Sequence, residues 1–198
     1  DLSVAGSYGT LYVNSATGAY EYVLTTDIEG WDDGEFETET FTFSVSDGDD
    51  TLVTQPYEVR ISGADDQPTL ADVSDGAISE VRLSGNLSES NLSGTLDGQD
   101  IDGETLTYGA TGATADTSRQ GFDLSVAGSY GTLYVNSATG AYEYVLTTDI
   151  EGWDDGESET ESFTFSVSDG DDTLVTQPYA VLISGADDQP TLADVSDG

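Results

Sequence analysis

The chain has 198 residues, of which 40 are Asp or Glu, 3 are Arg and none is Lys or His, so its formal net charge is −37. This charge excludes nucleic acid and anionic membranes as partners, because both would be repelled. The chain has no Cys, His or Met, which excludes disulfides, the usual zinc ligands and the commonest general base. Apolar residues make up 36% and include 19 aromatic side chains (11 Tyr, 6 Phe and 2 Trp), enough to build a core.

The sequence repeats itself with an offset of 122 residues. The stretch DLSVAGSYGTLYVNSATGAYEYVLTTDIEGWDDGE begins at Asp1 and again at Asp123, and residues 1–76 differ from residues 123–198 at four positions. A period of this length predicts whole domains in tandem rather than the short units of a solenoid. The four differing pairs are Phe36 and Ser158, Thr40 and Ser162, Glu58 and Ala180, and Arg60 and Leu182.

The boundary between copies is predicted at the stretch SGADDQP, which occurs at residues 62–68 and 184–190. Gly, two acids and a proline there end one apolar run and open the next. Residues 1–65 are then the C-terminal part of one repeat, residues 66–187 one complete repeat, and residues 188–198 the start of the next. Since a lone back half lacks partners for its core face, we expect the chain to belong to a longer array.

Alternating apolar and polar residues, with turn residues every 8 to 12 positions, predict an all-β immunoglobulin-like Greek-key sandwich that is repeated in tandem. Segment 78–88 is expected to add a strand or a bulge, and segment 111–122 to form a loop. The predicted strands of the complete repeat are 68–73, 92–97, 105–110, 130–136, 141–146, 162–168 and 174–184.

The same alternation assigns side chains to faces. Phe163, Phe165 and Val167 are predicted to share one face, and Tyr142, Tyr144 and Leu146 another. Tyr179, Val181 and Ile183 are predicted to point inward, with Ala180 and Leu182 pointing outward. The segment YGTLYVNSATGAYEYVL predicts a hairpin closed by residues 137–140.

Three blocks of the sequence together resemble a known family. They are GSYGTLYVNSATGAYEYVL, then ESFTFSVSDGDDTLVTQPYAVLISGADDQPTL, with LDGQDIDGETLTY upstream. They resemble the VCBS-type, cadherin-like repeats in the extender region of giant bacterial RTX adhesins, and the resemblance covers the full 122-residue period. It implies a spacer on the bacterial cell surface, secreted by a type I system, that projects adhesive end domains and contributes to biofilm formation.

Calcium is the predicted cofactor, because oxygen ligands are nearly all that the chain offers and a flexible shell of six to eight oxygens tolerates ligands from separate loops. If the strands alternate in direction, the acidic loops sort to the two ends of the sandwich. We therefore expect successive domains to share calcium at their junction and to lose hinge freedom there. The resemblance adds a Glu near the first strand, for which Glu80 is the match. The candidate ligands are Asp65, Asp66, Glu80, Asp100, Asp102, Glu104, Asp169, Asp171, Asp27, Glu29, Asp47, Asp187 and Asp188, with Asp32, Asp33, Glu35 and Asp172 nearby in sequence.

Each of these acidic segments has a plainer interpretation. The segment from Asp100 to Glu104 lacks the spaced final Glu of an EF-hand and could be a solvated turn. The segment Ser168-Asp169-Gly170-Asp171-Asp172 suits an ordinary hairpin turn, which is compatible with a ligand role. The loop from Asp149 to Glu161 is expected to be solvated along most of its length, with two of its acids coordinating. Arg60, Arg82 and Arg119 are expected to form surface ion pairs.

Three classes of function remain to be compared. An enzyme is not expected, since without His, Cys or Lys only carboxylates could do acid–base work, and here they lie in turns. A calcium-dependent carbohydrate- or protein-binding module is the alternative, with Trp153 and its copy Trp31 as a sugar platform unless they cap the core. The preferred prediction is an extracellular, monomeric spacer whose partners are its neighbouring repeats, with no nucleic-acid partner and no membrane insertion in this segment.

Overall fold

The computed structural model describes residues 1–49, 51–81, 86–87, 91–171, 174–188 and 190. Regular structure in this part of the chain is entirely β-strand, and it includes no helix long and apolar enough to cross a bilayer. The chain divides into two compact units. Unit 1 is Asp1–Asp66 with Ile101–Gly103, and unit 2 is Gln67–Asp100 with the described residues from Glu104 onward.

Among the described residues, five strands belong to unit 1 and twelve to unit 2. Those of unit 1 are β1 (Leu2–Ala5), β2 (Gly9–Val13), β3 (Tyr20–Leu24), β4 (Phe36–Val45) and β5 (Val53–Ser62). Those of unit 2 are β6 (Thr69–Leu70), β7 (Gly76–Val81), β8 (Asn86–Leu87), β9 (Asn91–Thr95), β10 (Gly98–Gln99), β11 (Thr107–Ala110), β12 (Thr114–Ala115), β13 (Leu124–Ala127), β14 (Gly131–Val135), β15 (Ala141–Leu146), β16 (Ser158–Ser168) and β17 (Val175–Ser184).

Unit 2 is a sandwich of two five-stranded sheets with a short β6–β10 pair. One sheet has the order β11-β16-β17-β7-β8 and the other the order β12-β13-β14-β15-β9. Every described pairing is antiparallel except that of β7 with β17, which is parallel. The predicted immunoglobulin/cadherin-like β-sandwich is therefore confirmed.

The strand predictions agree best where alternation is long. Strand β15 has the predicted bounds, 141–146, and the predicted hairpin with β14 is present. Its turn is local: Asn136 Oδ1 accepts the backbone N–H groups of Ala138 and Thr139, both at 3.0 Å, and Gly140 adopts a φ of +70°. Because these contacts lie within four residues, the sequence alone determines the turn.

Other segments agree with the prediction only in part. The first strand, predicted at 68–73, shrinks to β6, whereas segment 78–88 adds strands as expected, since its described part belongs to the parallel strand β7 and to β8. Segment 111–122 contains the short strand β12 besides its loop, and β13 was not predicted. Strand β16 begins at Ser158 rather than at residue 162, because residues 158–161 pair with residues 181–184 of β17.

The core of unit 2 lies between the two sheets. The predicted inward faces are confirmed: Phe165, Val167, Val181 and Ile183 have no exposed surface, whereas Leu182 is 45% exposed. Tyr142, Phe165 and Tyr179 form a contiguous aromatic cluster with ring centroids 4.8–5.5 Å apart. The buried set is Leu70, Ile78, Leu96, Ala110, Leu133, Val135, Tyr144, Ile150, Phe163, Phe165, Val167, Tyr179, Val181 and Ile183.

Glu161 is a buried carboxylate in the middle of this fold. It was expected to lie at the end of a solvated loop, but it is only 7% exposed. Its Oε1 accepts the backbone N–H of Tyr130 at 2.7 Å, and its Oε2 accepts the hydroxyl of Tyr144. A Cβ on Gly128 would lie 2.4 Å from Glu161 Oε1, so only glycine lets the β13–β14 turn approach the carboxylate. The carboxylate therefore joins β16 to the turn between β13 and β14.

Unit 1 repeats this arrangement with Glu39. Its carboxylate accepts the N–H groups of Ser7 and Tyr8 and the hydroxyl of Tyr22. Burial alone would raise the pKa of Glu39, but these hydrogen bonds outweigh it and lower the pKa. Burial and the Glu39 contact raise the pKa of Tyr22 to about 12. Because the Glu39 pKa is lowered on folding, its stabilising contribution is present above the ordinary Glu value of 4.5 and is lost as pH falls through the folded pKa.

The two units bury the same residues to different extents. Val167 is fully buried in unit 2, whereas its copy Val45 is 66% exposed in unit 1. In unit 2, β11 pairs with β16 beside Val167, and the core includes Leu70 of β6 and Ile78 of β7 with Leu92 of β9 packed against it. The described residues of unit 1 include no counterparts of β6, β7, β9 and β11. Exposure of an apolar side chain here follows from the strands that face it rather than from its own sequence context.

Arg119 forms a half-buried ion pair in unit 2 rather than a surface one. Its Nε and Nη2 donate to the two carboxylate oxygens of Glu143, and the guanidinium lies 5.5 Å from the ring centroid of Tyr134. This two-point contact fixes the loop after β12 on the outer face of β14 and β15. Arg82 lies outside the described residues.

Glu161→Ala should destabilise unit 2 by about 3 kcal/mol, because the Tyr130 N–H and Tyr144 hydroxyl would stay buried without an acceptor. Urea unfolding, followed by Trp153 fluorescence in a Trp31→Phe background, reports on this unit. Glu159→Ala, on the same strand and exposed, is the matched control and should change the unfolding free energy by less than about 0.5 kcal/mol. Equal effects of the two substitutions would contradict the structural role of Glu161.

Candidate metal centre

A first group of carboxylates lies at the end of unit 2 where β17 terminates. Glu80 is in β7, Glu151 in the loop after β15, and Asp188 in the segment after β17. One carboxylate oxygen from each lies within 4.8 Å of the others. Two oxygens bound to one calcium ion at 2.3–2.6 Å can be up to about 5 Å apart, so the spacing suits a shared Ca²⁺.

Glu80 is the residue of this group that most needs a cation. It is 5% exposed, and its Oε2 accepts the backbone N–H of Ala186 at 3.1 Å. Its Oε1 is buried and has no hydrogen-bond partner. Burying a carboxylate oxygen without a donor is costly, and with no Lys or His in the chain the missing partner fits a metal ion.

The charges around Glu151 act in the same direction. Burial raises the pKa of the Glu151 carboxyl, and the neighbouring carboxylates Glu80, Asp188 and Asp149 raise it further. A divalent cation bound among these oxygens would remove that repulsion. Glu80 and Asp188 were predicted ligands, whereas Glu151 was not named itself: its copy Glu29 was, and two unspecified acids of the loop from Asp149 to Glu161 were expected to coordinate.

A second group lies at the other end of β17. Asp100 and Glu104 flank the loop between β10 and β11, and Asp169 begins the turn between β16 and β17; one oxygen from each lies within 4.8 Å of the others. The Glu104 N–H also donates to Asp100 Oδ1 at 3.3 Å. Since the ten residues of β17 span about 33 Å, the two groups are at opposite ends of the sandwich. Within unit 2, the acidic loops thus sort to two ends as the strand directions predicted.

The remaining predicted ligands are in turns and connecting segments. In unit 1, the Asp66 N–H donates to Asp102 Oδ2 at 2.8 Å, and Asp102 Oδ1 is buried without a hydrogen-bond partner. Three others occupy these places: Asp65 is half-buried after β5, Asp171 is exposed in the β16–β17 turn, and Asp187 is exposed after β17. Asp27, Glu29 and Asp47 are exposed in loops of unit 1, where Asp27 and Asp47 each accept a backbone N–H two residues on. Asp172 lies outside the described residues.

Trp153 packs against the core. This agrees with one of its two expected roles, that of capping the core rather than forming a sugar platform. Its ring meets that of Tyr130 edge-on, with centroids 5.5 Å apart and planes at 90°. The copy in unit 1, Trp31 with Tyr8, has nearly the same geometry at 5.4 Å and 81°.

No protein-family model matches the chain, and no curated protein matches it in sequence. Among solved structures, mouse clustered PcdhgC3 EC1-3 is 15% identical with a TM-score of 0.42, and the match covers 94% of this chain and 55% of that one. Mouse Cadherin-23 EC22-24 is 18% identical with a TM-score of 0.40, covering 90% and 50%. Protocadherin Gamma B2 extracellular cadherin domains 3-6 are 13% identical with a TM-score of 0.42, covering 92% and 40%. A nucleoside hydrolase-related hypothetical protein from Saccharophagus degradans is 14% identical with a TM-score of 0.32, covering 62% and 26%. The chain spans about half or less of the length of these structures.

Glu80→Gln should change stability in opposite directions with and without calcium. In chelator the substitution should leave unit 2 as stable or stabilise it, because a buried unpaired charge is removed while the amide oxygen still accepts the Ala186 N–H. In calcium the stability should fall, and calorimetric titration should show at least about tenfold weaker binding at this group. Glu159→Gln is the control of equal charge change. Destabilisation by the same amount in both conditions would show that Glu80 serves packing rather than a cation.

Proposed function

We propose that this chain is part of a calcium-stiffened spacer in a long bacterial surface adhesin, of the VCBS-type, cadherin-like kind found in RTX adhesins. In this role the tandem domains project an adhesive end domain from the cell, with export by a type I system and a contribution to surface attachment and biofilm formation. The tandem repeat supports the proposal because a near-identical domain in series multiplies length.

The observation that carries the proposal is the buried Glu80 carboxylate, which groups with Glu151 and Asp188 and has one oxygen without a hydrogen-bond partner. Asp188 lies in the SGADDQP stretch that separates successive copies in the sequence, and its counterpart one repeat earlier is Asp66. A cation bound by Asp188 would tie the connecting segment to β7 and to the loop after β15. A connecting segment held in this way loses conformational freedom, and a spacer requires that loss.

The net charge gives a physical reason for calcium dependence. With 40 carboxylates and 3 arginines, neighbouring acidic segments repel one another and leave a linker mobile unless counter-ions bind. Sites of millimolar affinity are filled in calcium-rich extracellular surroundings and empty in the cytosol, so stiffening would follow export. A calcium-dependent carbohydrate- or protein-binding module is the second candidate, supported by the aromatic pair Tyr130 and Trp153.

Small-angle X-ray scattering of the 198-residue protein should give a longer maximum dimension and a narrower distance distribution in about 1 mM calcium than in chelator. Asp66→Asn with Asp102→Asn should reduce this difference, because one substitution removes charge in the connecting segment and the other removes charge beside it, while the amide oxygen introduced at position 102 can still accept the backbone N–H of position 66. Glu37→Gln with Glu159→Gln is the matched control, since it removes the same charge from exposed strand residues, one in each unit. Scattering that is independent of calcium would refute the spacer, and glycan binding lost in Trp153→Ala would favour the binding module.

A further inference from the structure

The ring of Trp153 borders a pocket of about 480 Å³ on the surface of unit 2. Two aromatic rings and two carboxylates line it. The lining residues are Tyr130, Trp153, Gly156, Glu157, Ser158 and Glu159. The role proposed above for calcium leaves this pocket without a use.

The pocket is built by backbone contacts that hold Trp153 in place. The Trp153 N–H donates to the carbonyl of Ile150 at 3.0 Å, and the Gly185 N–H donates to the carbonyl of Glu157 at 3.0 Å. A Cβ on Gly185 would lie 2.3 Å from Trp153 Cβ, so glycine is needed for this close approach. Because the backbone is fixed on both sides, the indole keeps its edge-on contact with Tyr130 and its packing on the core, and exposes part of its surface to the pocket.

Unit 1 forms the same pocket independently. There it measures about 410 Å³ and is lined by Tyr8, Trp31, Phe36 and the acids Glu35 and Glu37. Gly63 approaches Trp31 as Gly185 approaches Trp153. The occurrence of this pocket in both units shows that the repeat sequence specifies it.

The chemistry of the lining favours an organic cation. The faces of Trp and Tyr attract ammonium and guanidinium groups, most strongly when the cation also meets carboxylates. A chain of charge −37 adds a long-range attraction for cations that a neutral sugar would not experience.

Unit 1 has a cation in contact with one residue of its pocket. The guanidinium of Arg60 lies 4.3 Å above the ring of Phe36, one of the pocket residues. In unit 2 both partners are replaced, by Leu182 and Ser158. Two of the four differences between the copies therefore remove from unit 2 both this cation and the ring beneath it.

We propose that the Tyr130–Trp153 pocket of unit 2 binds an arginine side chain of a basic partner polypeptide. The guanidinium packs on the aromatic faces and meets Glu157 and Glu159 at the rim. This site goes beyond the proposed spacer function, since it would give the side of the repeat a contact with cationic proteins or with the basic segments of other surface molecules.

The test uses the full 198-residue protein in calcium-saturated buffer, with Trp31→Phe so that Trp153 is the sole tryptophan. The probe is the peptide acetyl-Gly-Arg-Gly-Arg-Gly-amide, and the control peptide carries citrulline, a neutral isostere, in place of both arginines. We expect the arginine peptide to change Trp153 fluorescence saturably and the citrulline peptide to bind at least about fivefold more weakly. Glu157→Gln should weaken binding several-fold, while its amide oxygen can still accept the Asp154 N–H that Glu157 accepts now.

The sharpest variant transplants the unit 1 residues into unit 2 as Ser158→Phe with Leu182→Arg. Since unit 1 carries this pair in the same strand context, the variant should fold, which circular dichroism can check, and should lose binding of the arginine peptide about fivefold or more. Equal binding of the citrulline peptide, or binding that neither Glu157→Gln nor the transplant changes, would overturn the proposal. A neutral disaccharide that saturates the Trp153 signal where the arginine peptide does not would replace it with a sugar platform.

Discussion

The constraint on which this structure depends is the cost of burying a carboxylate in a chain that has almost no positive side chains. For Glu161, hydrogen bonds from the protein itself offset this cost, because the Tyr130 backbone N–H and the Tyr144 hydroxyl both donate to its carboxylate. Glu80 has a donor for only one of its two oxygens: Oε2 accepts the Ala186 N–H, and Oε1 has no donor. The same residue type in the same sandwich is therefore found in two environments: Glu161 joins a turn to a strand, and Glu80 keeps one buried oxygen without a donor.

These two carboxylates also connect stability with function. Glu161 holds the β13–β14 turn against β16, so the fold of unit 2 has this polar anchor without any metal. Glu80, Glu151 and Asp188 instead join the start of the sandwich, a loop and the segment that follows the last strand. Calcium bound by Glu80, Glu151 and Asp188 would restrain the connecting segment, while the sandwich keeps its own core. Domain folding and linker stiffness can therefore depend on calcium to different degrees.

The two copies separate local from tertiary effects, because their sequences are almost the same and their surroundings are not. The hairpin turn is the same in both: Asn14 and Asn136 each accept the N–H groups two and three residues on, and Gly18 and Gly140 have φ angles of +72° and +70°. Burial differs, as the 66% exposure of Val45 and the complete burial of Val167 demonstrate. Hairpins thus follow from neighbouring residues, whereas a core follows from the strands brought against them.

The sequence by itself determined the all-β class, the 122-residue period, the inward faces of β16 and β17, the β14–β15 hairpin and the oxygen-rich chemistry that suits calcium. These features depend on alternation, turn residues and charge, which act over short distances along the chain. Only the tertiary structure decided that β7 pairs in parallel with β17, that Ser158 to Glu161 are strand rather than loop, and which acids meet. Asp169 lies 65 residues from Glu104 in sequence and Asp188 lies 108 from Glu80, yet the carboxylates of each pair lie within 4.8 Å of each other. Such groupings depend on how distant strands pack, and an acidic residue carries no local signal that tells whether it will find a donor, a cation or water.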